Sequence, residues 1–276
     1  MMNATNIDWA TRSWNPIVGC LHNCSFCYGR RFAERGMGEY GKHPKGARFK
    51  PRFLPERLEE PLKVRKPSRI FVCSMGDMFS PGLTGPDVLA PDKVLYTMTQ
   101  AYWHTFLLLT KHASEMYLWA KGVAYYPRGD SSQRPISGLP PNTHWGVSVT
   151  NQQDADERIP WLLKTPAALR WISVEPLQAE LNIAEYLDPW RRADGMTRQF
   201  IKQGVFNSDQ TDSMRSPTVQ WVVVGQETGN RAGRVVPERA WIASIVAQCR
   251  AADVAVFMKG NLAGVWGEEL IQEMPK

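Results

Sequence analysis

The run Thr105-Phe-Leu-Leu-Leu-Thr110 (TFLLLT) places four large apolar residues in succession with no polar residue between them. A strand with one wet face alternates apolar and polar residues; a continuous run of this length reads as a strand covered on both faces. The same texture recurs outward in both directions: SWNPIV (13–18), RIFVC (69–73), HWGVSV (144–149), RWISV (170–174), QWVVV (220–224) and VAVFM (254–258). Helical patterns fall between them. APDKVLYTMTQAYW (90–103) has Pro91 in a favoured first-turn position and sets Val94, Leu95, Met98, Ala101 and Tyr102 on one face. PERAWIASIVAQCRAA (237–252) repeats the design, with Trp241, Ile245 and Cys249 at helical spacing. Strand–helix alternation kept up over this length predicts an α/β fold, a mostly parallel sheet curled into a full or partial (β/α) barrel forming a single domain over 1–276. Stretches rich in Gly, Pro, Ser and charge predict long loops at about 125–142 and 191–217, expected at the barrel end opposite the usual active face.

Composition is that of an ordinary globular chain, with 43% hydrophobic and 22% charged residues. No apolar run approaches the ~20 residues that span a bilayer, and the first residues, MMNATNIDWATRSW, lack the basic-then-apolar profile of a signal peptide. The expectation is therefore a cytoplasmic protein with reduced thiols, in which clustered cysteines read as a metal site. Net charge is +6, but between Tyr28 and Ile70 thirteen Lys/Arg face five Asp/Glu, so that segment carries +8 and the remainder −2.

Three of the five cysteines, Cys20, Cys24 and Cys27, form C-x3-C-x2-C in a loop directly after the first strand signal. Thiolates are the natural ligands of iron–sulfur clusters, and four-iron clusters normally take four. Three leave one iron open to a small molecule. Zinc is the competing reading, with His22 or a distant residue as fourth ligand, although structural zinc usually sits in paired knuckles and no second knuckle is present. A chance cluster of buried thiols is the third. Cys249 lies on an apolar helix face and reads as core; Cys73 ends the second strand signal, where core packing competes with a place near the cluster.

CLHNCSFC (20–27), with the aromatic Phe26 before the last cysteine, resembles the signature of the radical S-adenosylmethionine (SAM) superfamily. The resemblance implies a barrel of the radical SAM type and a [4Fe–4S] cluster on Cys20, Cys24 and Cys27. It also implies that the unique iron chelates SAM, which is cleaved to methionine and a 5′-deoxyadenosyl radical. In that superfamily a Gly-Gly-Glu-like segment after the second strand holds the SAM amino group; here Met75-Gly76-Asp77 matches in part, with one glycine and a shorter acid. Polar residues close several later strand signals. By analogy, Ser148 and Glu175 are candidates for the SAM ribose or carboxylate, and Gly225 with Gln226 for the adenine. Lys111, Glu227 and Lys259 remain for substrate or proton transfer.

WNPIVGCLHNCSFCY, SMGDMF, LLTK, GVSVTNQ, SVEPL and VVVGQETG together resemble a phage-associated family of radical-SAM-like proteins, from Trp14 to about Gly260. That implies a phage or prophage origin and residence in the host cytoplasm. A reducing partner such as flavodoxin or ferredoxin is implied by the chemistry. The basic insertion at about 37–66, within the basic segment 30–69, interleaves cations with Tyr40, Phe49 and Phe53, offering charge for phosphates and rings for bases. The expected substrate is a nucleic-acid base or nucleotide, as in DNA modification or repair. A peptide or small metabolite is the alternative, and a zinc-stabilised nucleic-acid-binding protein without catalysis is the alternative of another class.

Overall fold

The computed structural model describes residues 2–125, 139–188, 218–228 and 233–275. The expected loop at 191–217, and residues 126–138 of that at 125–142, lie outside them.

Within the described residues the main sheet has the order β1 (Asn3–Ala4), β2 (Arg12–Trp14), β5 (Arg69–Val72), β6 (Thr105–Thr110), β7 (Thr143–Ser148), β8 (Leu169–Val174), β9 (Trp221–Val224), β10 (Ala255–Met258). The short β1 is antiparallel to β2, and each later neighbour pair is parallel. Helices α2 (Ala90–Gln100), α3 (Ala113–Tyr125), α4 (Gln152–Lys164), the one-turn α5 (Ala184–Leu187) and α6 (Arg239–Ala251) occur between or beside these strands in the chain. The result is a partial barrel. Between β10 and the turn before β2 the closing contact is a side-chain one, Gly260 N–H donating to Asp8 Oδ2 at 2.7 Å.

The continuous apolar runs have a direct structural cause. Successive residues alternate between two buried environments rather than between core and water. Ile70, Val72, Phe106, Leu108, Val147, Ile172, Val174, Val222, Val224, Val256 and Met258 belong to the larger core that also takes in residues of α2, α4 and α6. Phe71, Leu107, Trp171, Trp221, Val223 and Phe257 belong to a second, inner core closed by Trp9. Ring contacts knit that inner layer together: Trp9 meets Phe71 at 4.8 Å and Trp171 at 5.1 Å between centroids, and Trp171 meets Trp221 at 5.2 Å. Edge-to-face and tilted pairs of this kind contribute beyond the area they bury.

Two local expectations are corrected. SWNPIV is not one strand: β2 stops at Trp14, and β3 (Ile17–Val18) pairs antiparallel with β4 (Arg52–Phe53). Pro16 has no N–H to give to a ladder, while its carbonyl accepts from Leu54 at 2.7 Å. Tyr102, expected on the buried face of α2, is 76% exposed because the helix ends at Gln100. Val94, Leu95, Met98 and Ala101 are buried as expected, as are Ile245 and Cys249 of α6, whereas Trp241 is only partly buried.

Gly146 lies in the strand that faces Trp171, and a Cβ built there would stand 2.5 Å from the indole. Gly146→Ala should therefore lower stability by about 1–3 kcal/mol through overpacking, measured by urea unfolding. A change below about 0.5 kcal/mol would show that the inner layer has slack.

Candidate active site

The inner core fills the base of the barrel, and a cavity of about 310 Å3 opens above it at the carboxyl ends of the strands. Ile7, Trp9, Phe71 and Leu109 form its apolar lining. The polar lining comes from loops after nearly every strand.

The cysteine loop is held by its backbone. Gly19 follows β3 with φ +84°, and a Cβ there would fall 2.2 Å from the Lys50 carbonyl oxygen. Its N–H donates to Met75 O at 2.9 Å, and its carbonyl accepts from Asp77 N at 3.1 Å. Gly76 completes the contact, since a Cβ on it would lie 2.7 Å from Gly19 N and O. Cys20 N–H donates to Phe49 O at 3.0 Å, Leu21 N–H to Ser80 Oγ at 2.9 Å, and Arg30 Nη2 to Cys20 O at 3.2 Å. Asn23, at φ +59°, supplies a left-handed turn that asparagine tolerates. Cys27 caps α1 (Tyr28–Glu34), its Sγ accepting from Arg30 N at 3.3 Å; Cys20 Sγ accepts from His22 N at the same distance.

All three thiols line the cavity and are half-buried. Burial, followed by the nearby Asp77 charge, pushes Cys20 up to about 11. Burial also raises Cys24, opposed by the Lys111 ammonium. A buried thiolate needs a compensating cation. Around one tetrahedral ion at the usual zinc–sulfur length, sulfurs sit roughly 3.8 Å apart. Among the described residues, the ligand atoms gathered within 4.8 Å of one another are those of Cys20, Asp77 and His112, not those of the three loop thiols. Such spreading suits a cluster in which each thiolate binds a different iron. The Cys20–Asp77–His112 group is a poor ion site, because Asp77 is already satisfied: its oxygens accept from Thr110 Oγ1 (2.7 and 2.9 Å), Phe79 N (3.0 Å) and Lys111 N (3.0 Å). The donor set therefore fits a four-iron cluster better than a single metal ion.

The cavity gathers most of the residues expected from sequence. Phe26, Gly76, Asp77, Lys111, Ser148, Glu175, Gln226, Glu227 and Lys259 line it with the cysteines. Met75 does not; its side chain packs against the small core near Cys20 and Cys27, and its N–H is held by Asn15 Oδ1 at 2.8 Å. Gly225 does not line it either, but makes room behind the wall. A Cβ on Gly225 would meet Glu175 Oε1 at 2.9 Å and Lys259 Cδ at 3.0 Å, the two partners of a 3.3 Å ion pair. Ser173 Oγ donates to Glu175 Oε2 at 3.2 Å. The Gln226 amide nitrogen is committed to the Asn261 carbonyl. Lys111 sits with its ammonium 5.4 Å from the Phe26 ring centroid, and burial lowers its pKa, with the neighbouring Cys24 opposing that shift.

Tyr28, Ser74, Ser173 and Thr228 also line the cavity and were not picked out as site residues. Tyr28 was findable as the residue after Cys27; its hydroxyl donates to the Ser74 carbonyl. Cys73 is buried in the core and touches the cavity wall, with φ +57°. Cys249 is wholly buried.

The basic insertion differs most from expectation. Tyr40 and Phe49 are buried in a small core with Val18, Ala33 and Leu54, Phe49 also touching the cavity wall, while Phe53 is half-buried against the larger core; the three rings therefore form no exposed stacking surface for bases. Arg48 donates to Glu34 O (2.6 Å) and His43 O (3.2 Å), and Arg52 to Arg48 O (3.1 Å) and Ala47 O (3.4 Å). These arginines brace carbonyls that a loop-rich segment would otherwise leave without protein partners.

Fold and site together define the class: an α/β partial barrel whose cavity at the strand ends is walled by three cysteines. The sequence matches the family described as "Protein of unknown function (DUF5131)" over residues 4–276, and the chain belongs to that family. A solved structure of a cysteine-to-serine mutant of spore photoproduct lyase has a similar fold, with a TM-score of 0.50 and 9% identity, covering 94% of this chain and 78% of that one. None of the curated proteins matches the sequence. No helix among the described residues is long and apolar enough to cross a membrane.

Asp77→Ala would strand the Thr110 hydroxyl and two backbone N–H groups. It should cost about 2–4 kcal/mol in chemical unfolding, and Asp77→Asn less, since an amide oxygen still accepts. Equal losses for the two variants would show that the carboxylate charge, not its hydrogen bonding, holds this corner.

Proposed function

We propose that this protein is a radical SAM enzyme that acts on a nucleic-acid base or nucleotide, in DNA modification or repair. The observation that carries the first half is the half-buried thiol triad lining a cavity at the carboxyl ends of a parallel partial barrel. Cys20, Cys24 and Cys27 would hold a [4Fe–4S] cluster, which supplies the electron that cleaves SAM into methionine and a 5′-deoxyadenosyl radical.

The chain's own residues then have separable tasks. Lys111, beside Cys24 and over Phe26, holds positive charge against the thiolates. Ser148 and Glu175 face the cofactor's ribose or carboxylate, and Gln226 flanks its adenine, orienting through the oxygen that its bond to Asn261 leaves available. The Met75–Asp77 segment contributes backbone rather than its acid, since Asp77 is spent on Thr110, Phe79 and Lys111. Glu227 and Lys259 are left to orient substrate or hold a proton. The apolar lining by Ile7, Trp9, Phe71 and Leu109 excludes water from the space where a radical would meet its target.

The nucleic-acid half rests on two supports: the net charge of +6 and the fold shared with spore photoproduct lyase, a radical SAM enzyme. A phage origin, suggested by the sequence resemblance, agrees with a role in modifying or repairing DNA.

Anaerobic reconstitution tests the proposal. The wild-type protein should be brown, hold about four irons and release 5′-deoxyadenosine from SAM and dithionite, detected by mass spectrometry. Cys24→Ala should lose both properties. A colourless protein with stoichiometric zinc would overturn the radical chemistry and leave a binding protein.

A further inference from the structure

Most of the rings that line the cavity are closed off. Trp9 and Phe71, in its floor, are 1% and 8% exposed, Phe49 is buried in the small core, and Phe26 lies under the Lys111 ammonium. Tyr28 differs: it lines the same cavity and is 50% exposed. It opens α1 directly after Cys27, so the helix start that Cys27 caps fixes its main chain. At the other end its hydroxyl donates to the Ser74 carbonyl, just past β5. Burial of that polar end, with the charges of Cys27 and Glu175 adding to it, pushes the Tyr28 pKa well above the usual tyrosine range. The open half of the residue is therefore its ring and main chain, and the ring is held from both ends.

A tyrosine anchored by its hydroxyl presents a rigid flat plate, and little further side-chain entropy is lost when something stacks on it. Every nucleobase has a π-face for such a plate, whatever its identity. Lys259 stands on the same side of the cavity, because it is ion-paired at 3.3 Å to Glu175, whose charge also acts on the Tyr28 hydroxyl. An ammonium has three protons to donate, so Lys259 keeps donors for a carbonyl or ring nitrogen at a base's edge. A face to stack on and a donor for the edge are the contacts by which a lone base is held. A base still stacked and paired in a duplex can use neither.

We propose that Tyr28 is the stacking platform for the substrate base, which enters the cavity unstacked, from a single strand or extruded from a duplex. The inference rests on the nucleic-acid half of the reading above and adds which residue receives the base and in what state. Because Tyr40 and Phe49 of the basic insertion are inside, base recognition falls to the cavity itself rather than to the surface around it. The step is binding alone; no bond forms or breaks.

The test measures binding to the reconstituted holoenzyme by calorimetry, with two probes: a short single-stranded oligothymidylate, and a strand of the same length in which every site is abasic. The abasic strand keeps the phosphates and removes every face that could stack. Wild type should bind oligothymidylate at least about fivefold more tightly than the abasic strand. Tyr28→Leu should weaken oligothymidylate binding by about fivefold or more and leave abasic binding within about twofold. Tyr28→Phe, which keeps the ring, should stay within about twofold of wild type on both strands. Iron content checks each variant. If Tyr28→Leu loses its iron, photocrosslinking replaces it: wild-type holoenzyme irradiated with an oligonucleotide carrying 5-iodouracil should be labelled on the peptide that contains Tyr28, mapped by mass spectrometry. Equal binding of the two strands by wild type overturns the stacking role. So does equal weakening on both strands in Tyr28→Leu, or no weakening in a Tyr28→Leu protein that keeps its iron. Crosslinks confined to other peptides do the same. Failure of the wild type to bind either strand overturns the nucleic-acid reading itself, and this inference with it.

Discussion

The site hangs on one backbone contact, that of Gly19 against Gly76. Neither position has room for a Cβ, and the pair exchanges hydrogen bonds through Met75 and Asp77. Because the loop is fixed by main chain, its three thiols are not needed to hold it in place. Phe49, Ser80 and Arg30 extend the same principle, each bonding to loop backbone. A loop built this way has much of its ordering entropy already lost at folding, which favours tight binding by whatever its thiols take up.

The parallel sheet was legible because both of its faces are buried. Phe106, Leu107 and Leu108 alternate between outer and inner cores, so the chain shows an unbroken apolar run where a half-wet strand would show alternation. The strand ends were legible for a related reason: in such a fold, polar residues just past an apolar run converge on one cavity. Nine of the expected site residues besides the cysteines do meet there.

What the sequence hid is what depends on distant partners. SWNPIV looks like one strand until Pro16 and the antiparallel partner β4 are seen to divide it. Asp77 looks like an acceptor for a ligand ammonium, but Thr110 and Lys111, more than thirty residues away, claim its oxygens. Gly225 looks like a ligand-lining glycine, yet its lack of a side chain serves the Glu175–Lys259 pair. Tyr40 and Phe49 of the basic insertion look like a stacking surface, and only the packing of Val18, Ala33 and Leu54 turns them inward. Composition specifies the residue types in each case; the three-dimensional neighbour decides the role.

Charge in the cavity is divided in a way that follows from the cost of burial. On the cysteine side a lysine faces thiols that burial drives toward neutrality, so Lys111 and the thiols each relieve the other's desolvation. On the side formed by the ends of β8 and β10, Lys259 is matched by Glu175 at 3.3 Å, with 22% and 18% of their side-chain surfaces still exposed. Replacing such a pair with apolar residues is often neutral or stabilising, so stability alone gives little reason to keep it. Its value lies in presenting a donor and an acceptor to whatever enters the cavity, across from the sulfurs, over a floor of Trp9 and Phe71. The two walls thus differ in character: one sets thiols beside a lysine, the other a donor and an acceptor side by side.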